Sequence, residues 1–190
     1  MRYIYLGKRL KCSVFLPPLI FLFCVSAGLQ RSFSAFAAVI LHEAGHITAG
    51  LILKRKISYA TLSALGADIE YTGAASYKAD IITALCGPVF SLISGFLLCG
   101  VFYEFSVISV IYGLMNLIPV PCFDGGRALR GALYSSSDIT VSERICDAVS
   151  VFCLIIMYLF SVFLLFYTSF NASLLFLCAY VFFDSYIKMK

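Results

Sequence analysis

Apolar residues along the chain gather into six segments separated by more polar stretches. These segments cover roughly residues 14–29, 33–53, 81–103, 105–118, 148–168 and 172–187. A helix needs about 20 mostly apolar residues to cross the hydrocarbon core of a bilayer, a length that the second, third and fifth segments reach. The first and sixth segments are short but usable, whereas the fourth is too short for a simple span. The pattern predicts an all-α polytopic membrane protein with about six transmembrane helices.

One stretch between the second and third segments has a different periodicity. Residues 66–73 read Gly-Ala-Asp-Ile-Glu-Tyr-Thr-Gly and alternate apolar with polar positions. Such alternation is typical of a short strand, and an ordered cytoplasmic loop is the alternative. We therefore expect a short extended element between spans two and three.

Composition agrees with a membrane setting. Apolar residues make up 62% of the 190 residues and charged residues only 13%, and the mean hydropathy is +0.97. Soluble domains are about 25% charged, so this chain has too much apolar surface for one soluble core. We expect one membrane-embedded domain over residues 1–190, in contact with the lipid bilayer.

Basic residues indicate an orientation. Thirteen of the 14 Lys and Arg residues fall in 1–13, 54–80, 119–147 and 188–190, and only Arg31 lies elsewhere. Cytoplasmic loops carry an excess of such residues, so both termini are expected in the cytoplasm. This bias explains the +4 net charge better than nucleic-acid binding does, since no basic patch with interleaved aromatics is present. A cleaved signal peptide ending near Val25-Ser26-Ala27 is an alternative for the first segment.

The eight cysteines form no CxxC pair, and most lie within or beside apolar segments. Isolated cysteines in such segments usually serve as small packing residues. We expect no structural disulfide.

The second segment contains the sequence His42-Glu43-Ala44-Gly45-His46, which holds the only two histidines of the chain. Positions i and i+4 share one face of a helix, so both imidazoles can reach one metal ion with Glu43 close by. Ionisable residues within an apolar span are energetically unfavourable and usually functional. The five residues therefore predict a metal site inside the membrane.

A catalytic zinc site usually has three protein ligands, so a carboxylate or thiolate must join the two histidines. Asp124 is the candidate with the most distinctive surroundings, because Pro119 and Pro121 interrupt the fourth segment and Gly125 follows. Interrupted helices occur at membrane depth where they line a cavity. We predict that the fourth helix is discontinuous and resumes near Arg127. An ordinary cytoplasmic Asp-Gly-Gly turn fits these residues equally well.

Two separate motifs resemble the site-2 protease family of intramembrane zinc metalloproteases. They are HEAGH at 42–46 and Asn116-x-x-Pro119-x-Pro121-x-x-Asp124-Gly-Gly, and Gly87-Pro88 resembles the family's Gly-Pro element. The resemblance covers about residues 33–130, which would be the catalytic core, with accessory helices at about 14–29, 148–168 and 172–187.

The resemblance implies specific roles for these residues. His42, His46 and Asp124 would bind Zn²⁺, Glu43 would be the general acid and base, and Asn116 would assist catalysis. The expected activity is hydrolysis of peptide bonds in transmembrane or membrane-associated protein substrates, in regulated proteolysis. The compact layout is similar to the bacterial branch that includes sporulation pro-sigma-factor processing proteases, which implies a bacterial cell membrane.

Other interpretations of the same residues remain open. A membrane scaffold or regulator without proteolytic activity, with or without zinc, is the main alternative. A metal transporter ranks below it, because the fifth and sixth segments offer few polar residues for a transit path. Cys122 could bind zinc or act as an inhibitory thiol, although packing explains it more simply.

Overall fold

The computed structural model describes residues 3–5, 10–13, 28–63, 66–72, 76–167 and 173–189. Within these ranges the chain forms six helices and four short strands. The helices are α1 (Leu29–Ile52), α2 (Tyr77–Leu97), α3 (Tyr103–Asn116), α4 (Asp124–Tyr134), α5 (Ile139–Tyr167) and α6 (Ser173–Met189). The predicted first apolar segment lies outside the described residues except for its last two positions.

Three of these helices are long and apolar enough to cross a membrane. They are α1, α2 and α5, which are the second, third and fifth segments of the sequence pattern. Many of their large apolar side chains are exposed, among them Ile40, Phe96 and Phe160, as expected of helices that contact lipid. The predicted predominantly helical membrane fold is confirmed, and α6 contains a shorter apolar helix, Leu175–Tyr186.

A small sheet accompanies the helices. Its strands are β1 (Tyr3–Tyr5), β2 (Leu10–Ser13), β3 (Lys56–Ser63) and β4 (Gly66–Thr72), in the order β1-β2-β3-β4. β3 and β4 pair antiparallel, whereas β2 pairs parallel with β3. The predicted extended element is a strand over Gly66–Thr72 and not a loop. The two N-terminal strands were not predicted from the sequence.

The chain divides into two compact units, Met1–Met115 and Asn116–Lys190. The single domain expected from the sequence stays a prediction. In the first unit, α1 and α2 approach closely at Gly45. A Cβ atom there would lie 2.6 Å from the carbonyl oxygen of Cys86 and 3.0 Å from the Cα of Gly87. The absence of a side chain at Gly45 thus brings the backbones of the two helices together beside the histidines.

The predicted discontinuous fourth helix is confirmed. Helix α3 ends at Asn116 and α4 begins at Asp124, and the turns between them contain Pro119 and Pro121, which cannot donate helical hydrogen bonds. The first turn of α4 packs against this segment. A Cβ at Gly125 would lie 2.7 Å from the carbonyl oxygen of Ile118, and one at Gly126 would lie 3.0 Å from the nitrogen of Pro121. Both glycines are therefore needed for the close return of the chain.

Candidate metal centre

The two histidines lie on one buried face of α1. Their side chains are almost fully enclosed, with 1% of His42 and 4% of His46 exposed. The Nε2 atoms of the two rings are 3.2 Å apart. Two nitrogen ligands at about 2.0–2.1 Å from a tetrahedral zinc ion would be about 3.3–3.4 Å apart. The separation of the rings therefore fits a shared metal ion.

The ring of His46 is oriented by the backbone of α2. Its Nδ1 atom is 2.7 Å from the main-chain carbonyl oxygen of Thr83. A carbonyl oxygen only accepts hydrogen bonds, so Nδ1 carries the ring hydrogen and donates the hydrogen bond. In the neutral ring Nε2 then has a free electron pair for a metal. Such a second hydrogen bond typically fixes the tautomer and orientation of a metal-binding histidine.

The ring of His42 is held by a serine and a tyrosine. Its Nδ1 atom is 2.9 Å from the hydroxyl oxygen of Ser91, which is fully buried. The ring also packs edge-on against Tyr112 of α3, with the centroids 4.8 Å apart. The hydroxyl of Ser109 donates to the main-chain oxygen of Ser91 at 2.9 Å and so connects α3 with α2 at this position.

Gly87 of α2 lies directly against the two imidazole rings. A Cβ atom at this position would overlap Nε2 and Cε1 of His46 and would lie 2.9 Å from Nε2 of His42. Residues at spacing four share a helix face, and Thr83, Gly87 and Ser91 have that spacing. One face of α2 therefore provides the hydrogen-bond partners of both imidazole rings, Thr83 and Ser91. Between these partners, Gly87 lies beside the two Nε2 atoms.

Glu43 follows His42 on α1 and is partly buried. Its position within the motif is the one predicted for the acid and base. It belongs to the same compact unit as both histidines.

The second unit contains the other two predicted site residues. Asp124 is the first residue of α4 and is 6% exposed, as is Asn116 at the end of α3. A carboxylate in the first turn of a helix is favoured by the exposed N–H groups and by the helix dipole. Arg127 lies one turn further, with Nη1 3.6 Å from Oδ1 of Asp124. The helix N-terminus and Arg127 thus both lie beside the buried carboxyl group of Asp124.

The segment between Asn116 and Asp124 is held by the two following helices. The hydroxyl of Ser150 on α5 donates to the main-chain oxygen of Pro119 at 3.2 Å, and the hydroxyl of Ser185 on α6 contacts the sulfur of Cys122 at 3.4 Å. Val120 within the segment is fully buried. The sulfur of Cys122 thus has a contact within its own unit, which agrees with the packing role expected for it.

The predicted ligands are of residue types that bind metal ions. His42 and His46 are buried in the first unit, and Asp124 is buried in the second. Two imidazoles and a carboxylate suit zinc, which accepts nitrogen and oxygen ligands and leaves a position for a reactant in catalytic sites.

Sequence reasoning missed two partners of the histidines. The sequence does not single out Thr83 or Ser91, and it indicates Gly87 only as part of the Gly-Pro element. A signal was nevertheless present, because a polar-Gly-polar row at spacing four is unusual on an apolar helix. The identity of the contacts could not be read from it, since Thr83 and Ser91 are far from the histidines in sequence.

Comparison with known proteins agrees with this geometry. Residues 99–160, which include Asn116 and Asp124, match the model of Peptidase family M50. The chain is also similar to the solved structure of the Site-2 Protease from Methanocaldococcus jannaschii, with a TM-score of 0.73 over 100% of this chain and 95% of that one. The predicted resemblance to the site-2 protease family is confirmed.

The likeness to this site-2 protease lies in the fold, because only 21% of the residues are identical. No curated protein matches the chain. The match to a peptidase family supports proteolytic activity, and the apolar helices together with the fold support an integral membrane protein.

Proposed function

We propose that this protein is an intramembrane zinc metalloprotease that cleaves transmembrane or membrane-associated proteins. The observation that carries the proposal is the pair of buried imidazoles on an apolar helix. Each ring is held at Nδ1 by a residue of α2, and the two Nε2 atoms face each other at 3.2 Å. A histidine pair used only for packing would not need such oriented nitrogens in an apolar segment.

The proposed zinc ligands are His42, His46 and Asp124. A zinc ion bound by them would activate water and polarise the carbonyl of the bond to be cut. The two imidazoles are fixed by α2, and the carboxylate is fixed by the first turn of α4. Gly87 lets both rings lie close to the backbone of α2, since a Cβ atom there would be 2.9 Å from Nε2 of His42.

Glu43 is the proposed general base and acid. Its carboxylate would take a proton from the attacking water and return it to the nitrogen of the leaving amine. The proposed role of Asn116 is to hold the substrate carbonyl through its side-chain amide, which can donate two hydrogen bonds. Both side chains are at least partly shielded from bulk solvent, which strengthens their hydrogen bonds and charge interactions.

The proposed substrate is a protein segment within or next to the membrane. A helix keeps its carbonyls in internal hydrogen bonds, so a transmembrane substrate must unwind locally before cleavage. An unwound strand could add to the edge of the sheet at β4, since β4 has β3 on one side only in the described sheet. We further propose a bacterial cell membrane, cytoplasmic termini and a role in regulated proteolysis.

The first test is zinc content per chain in detergent-purified protein. We expect about one zinc in the wild type and in Asp138→Ala, an exposed acid of the same unit. We expect little or none in His46→Ala and Asp124→Ala, because a catalytic zinc site needs three protein ligands. Full zinc in Asp124→Ala would place the third ligand elsewhere. Zinc-free but folded wild type would contradict the proposal.

The second test separates binding from catalysis. Glu43→Gln keeps the size and hydrogen-bonding capacity of the side chain but removes its basicity. We expect normal zinc content and a loss of turnover of about 10²–10⁴-fold, the usual contribution of general acid–base catalysis. The assay follows cleavage of doubly labelled single-span transmembrane peptides in detergent micelles. Wild-type turnover by Glu43→Gln would show that another group moves the proton.

A further inference from the structure

Arg55 lies just beyond the C-terminal end of α1 and makes contacts back towards the histidines. Its main-chain N–H donates to the carbonyl of Gly50 at 2.8 Å, which turns the chain from the helix into β3. Its guanidinium forms a 2.6 Å ion pair with Asp80 and a 3.2 Å hydrogen bond to the hydroxyl of Thr83. Arg55 therefore ties the end of α1 to the first turns of α2.

The flat face of the same guanidinium is used as well. It stacks on the ring of Tyr71 in β4, with 4.3 Å between the guanidinium carbon and the ring centroid. The hydroxyl of Tyr71 donates to the main-chain carbonyl of His46 at 3.0 Å. Gly50 leaves room for this ring, since a Cβ there would be 2.6 Å from Cε1 of Tyr71.

The two residues that contact His46 in this network, Thr83 and Tyr71, therefore also contact Arg55. The carbonyl of Thr83 holds the imidazole at Nδ1, and the phenol of Tyr71 holds the backbone of the same residue. Only 12% of the Arg55 side chain is exposed. A simple surface ion pair contributes little to stability and needs neither burial nor three simultaneous contacts. The planar guanidinium group can donate to Asp80 and Thr83 while its flat face stacks on Tyr71. The ammonium group of a lysine could not make all three contacts at once.

We propose that Arg55 is a positioning residue for the metal-binding imidazole of His46, acting through Thr83 and Tyr71. Arg55 fixes the distance between α1 and α2 about one helical turn away from the hydrogen bond between His46 and Thr83. The inference rests on the proposed zinc site. Through Tyr71, Arg55 couples strand β4 to one proposed zinc ligand, His46. The zinc affinity then depends on Arg55, which does not touch the metal.

The test measures the rate of zinc release to a chelator from detergent-purified protein, together with kcat and KM on the labelled peptides. Arg55→Met keeps the length of the side chain and removes its charge and donors. Lys78→Met is the matched control, because Lys78 is an exposed cation at the start of α2. Removal of residues that orient metal ligands typically costs 10–100-fold in affinity or activity. For this indirect contact we expect zinc release about tenfold faster in Arg55→Met and unchanged release in Lys78→Met.

Two milder variants make the test independent of any folding defect in Arg55→Met. Thr83→Val keeps the carbonyl that binds His46 and removes the hydroxyl that binds Arg55. Tyr71→Phe removes only the hydroxyl that binds His46. We expect each variant to release zinc faster and to lower kcat more than it raises KM, while the unfolding temperature of the zinc-free protein stays the same. Arg55→Lys should rescue zinc retention only in part.

The outcomes separate the inference from the proposed function. Zinc-loaded, active wild type with normal zinc release in Arg55→Met, Thr83→Val and Tyr71→Phe overturns the inference alone. Full rescue of zinc retention by Arg55→Lys also overturns the inference, because a positive charge without the guanidinium geometry would then be enough to hold the zinc. A wild type that binds no zinc and cleaves none of the peptides overturns the proposed function, and the inference with it.

Discussion

A single methyl group added at Gly87 should weaken zinc binding at the proposed metal site. In Gly87→Ala the new Cβ would overlap the ring of His46 and lie 2.9 Å from Nε2 of His42. Carbon and nitrogen atoms in ordinary contact are about 3.5 Å apart or more. The ring of His46 must therefore move by about 1 Å to restore an ordinary contact distance, or α1 and α2 must separate.

The size of the effect follows from the contacts that must give way. Overpacking a well-packed interior costs about 1–3 kcal/mol. Displacing His46 also weakens its hydrogen bond to Thr83, which is worth about 1 kcal/mol. A total of roughly 2–4 kcal/mol corresponds to zinc affinity about 30-fold to several-hundred-fold weaker. Alanine favours a helix over glycine by about 1 kcal/mol, so the helix itself should not be destabilised by the change.

The assay is competition for zinc with a chromophoric chelator, with unfolding temperature measured on the same samples. Gly100→Ala is the matched control, because a Cβ at that position meets no atom within 4 Å. We expect Gly100→Ala to bind zinc like the wild type. Wild-type zinc affinity in folded Gly87→Ala would refute the reasoning, because the space beside the two Nε2 atoms would then not be where the metal binds.

Two further changes test the support of each ligand. Ser91→Ala removes the partner of Nδ1 of His42 and should weaken zinc binding by about 10-fold or more, measured by the same competition. Equal weakening in Ser106→Ala, whose hydroxyl donates to the carbonyl of Phe102 just before its own helix, would point to a general packing effect. Gly125→Ala places a Cβ against the carbonyls of Leu117 and Ile118 and should lower the unfolding free energy by about 1–3 kcal/mol, measured by thermal unfolding; an unchanged unfolding temperature would contradict the close return of the chain at α4.

The parts of the fold that could be predicted are those set by local sequence. Apolar length identified α1, α2 and α5, because crossing a bilayer depends on a run of consecutive residues. Pro119 and Pro121 marked the interruption between α3 and α4, since proline disrupts helical hydrogen bonding wherever it occurs. The fifth apolar segment begins at residue 148, whereas the helix α5 begins at Ile139. Apolar composition marks the part of a helix that suits lipid, while its hydrogen bonding continues into polar residues such as Glu143.

The parts that could not be predicted depend on distant pairing. Strand β2 pairs with β3 across almost 50 residues, and β1 and β2 are too short for their own periodicity to show. The partners of the histidines are similarly remote: Ser91 is 49 positions after His42, and Thr83 is 37 positions after His46. Such contacts depend on how helices align, whereas the spacing of HEAGH depends only on the helical repeat.

The parallel pairing of β2 with β3 puts two distant segments of the chain on the same side of the membrane. Lys11 in β2 is aligned with Thr61 in β3, so the residues before the first apolar segment and the connection between α1 and α2 share a compartment. Helix α1 is about 36 Å long at 1.5 Å per residue over its 24 residues, which exceeds the hydrocarbon thickness of about 30 Å. If α1 spans the membrane, Arg31 near its start lies in the opposite compartment from Arg55. A single membrane-impermeant label at position 11 would therefore report the sidedness of the whole first unit, including the Arg55 network.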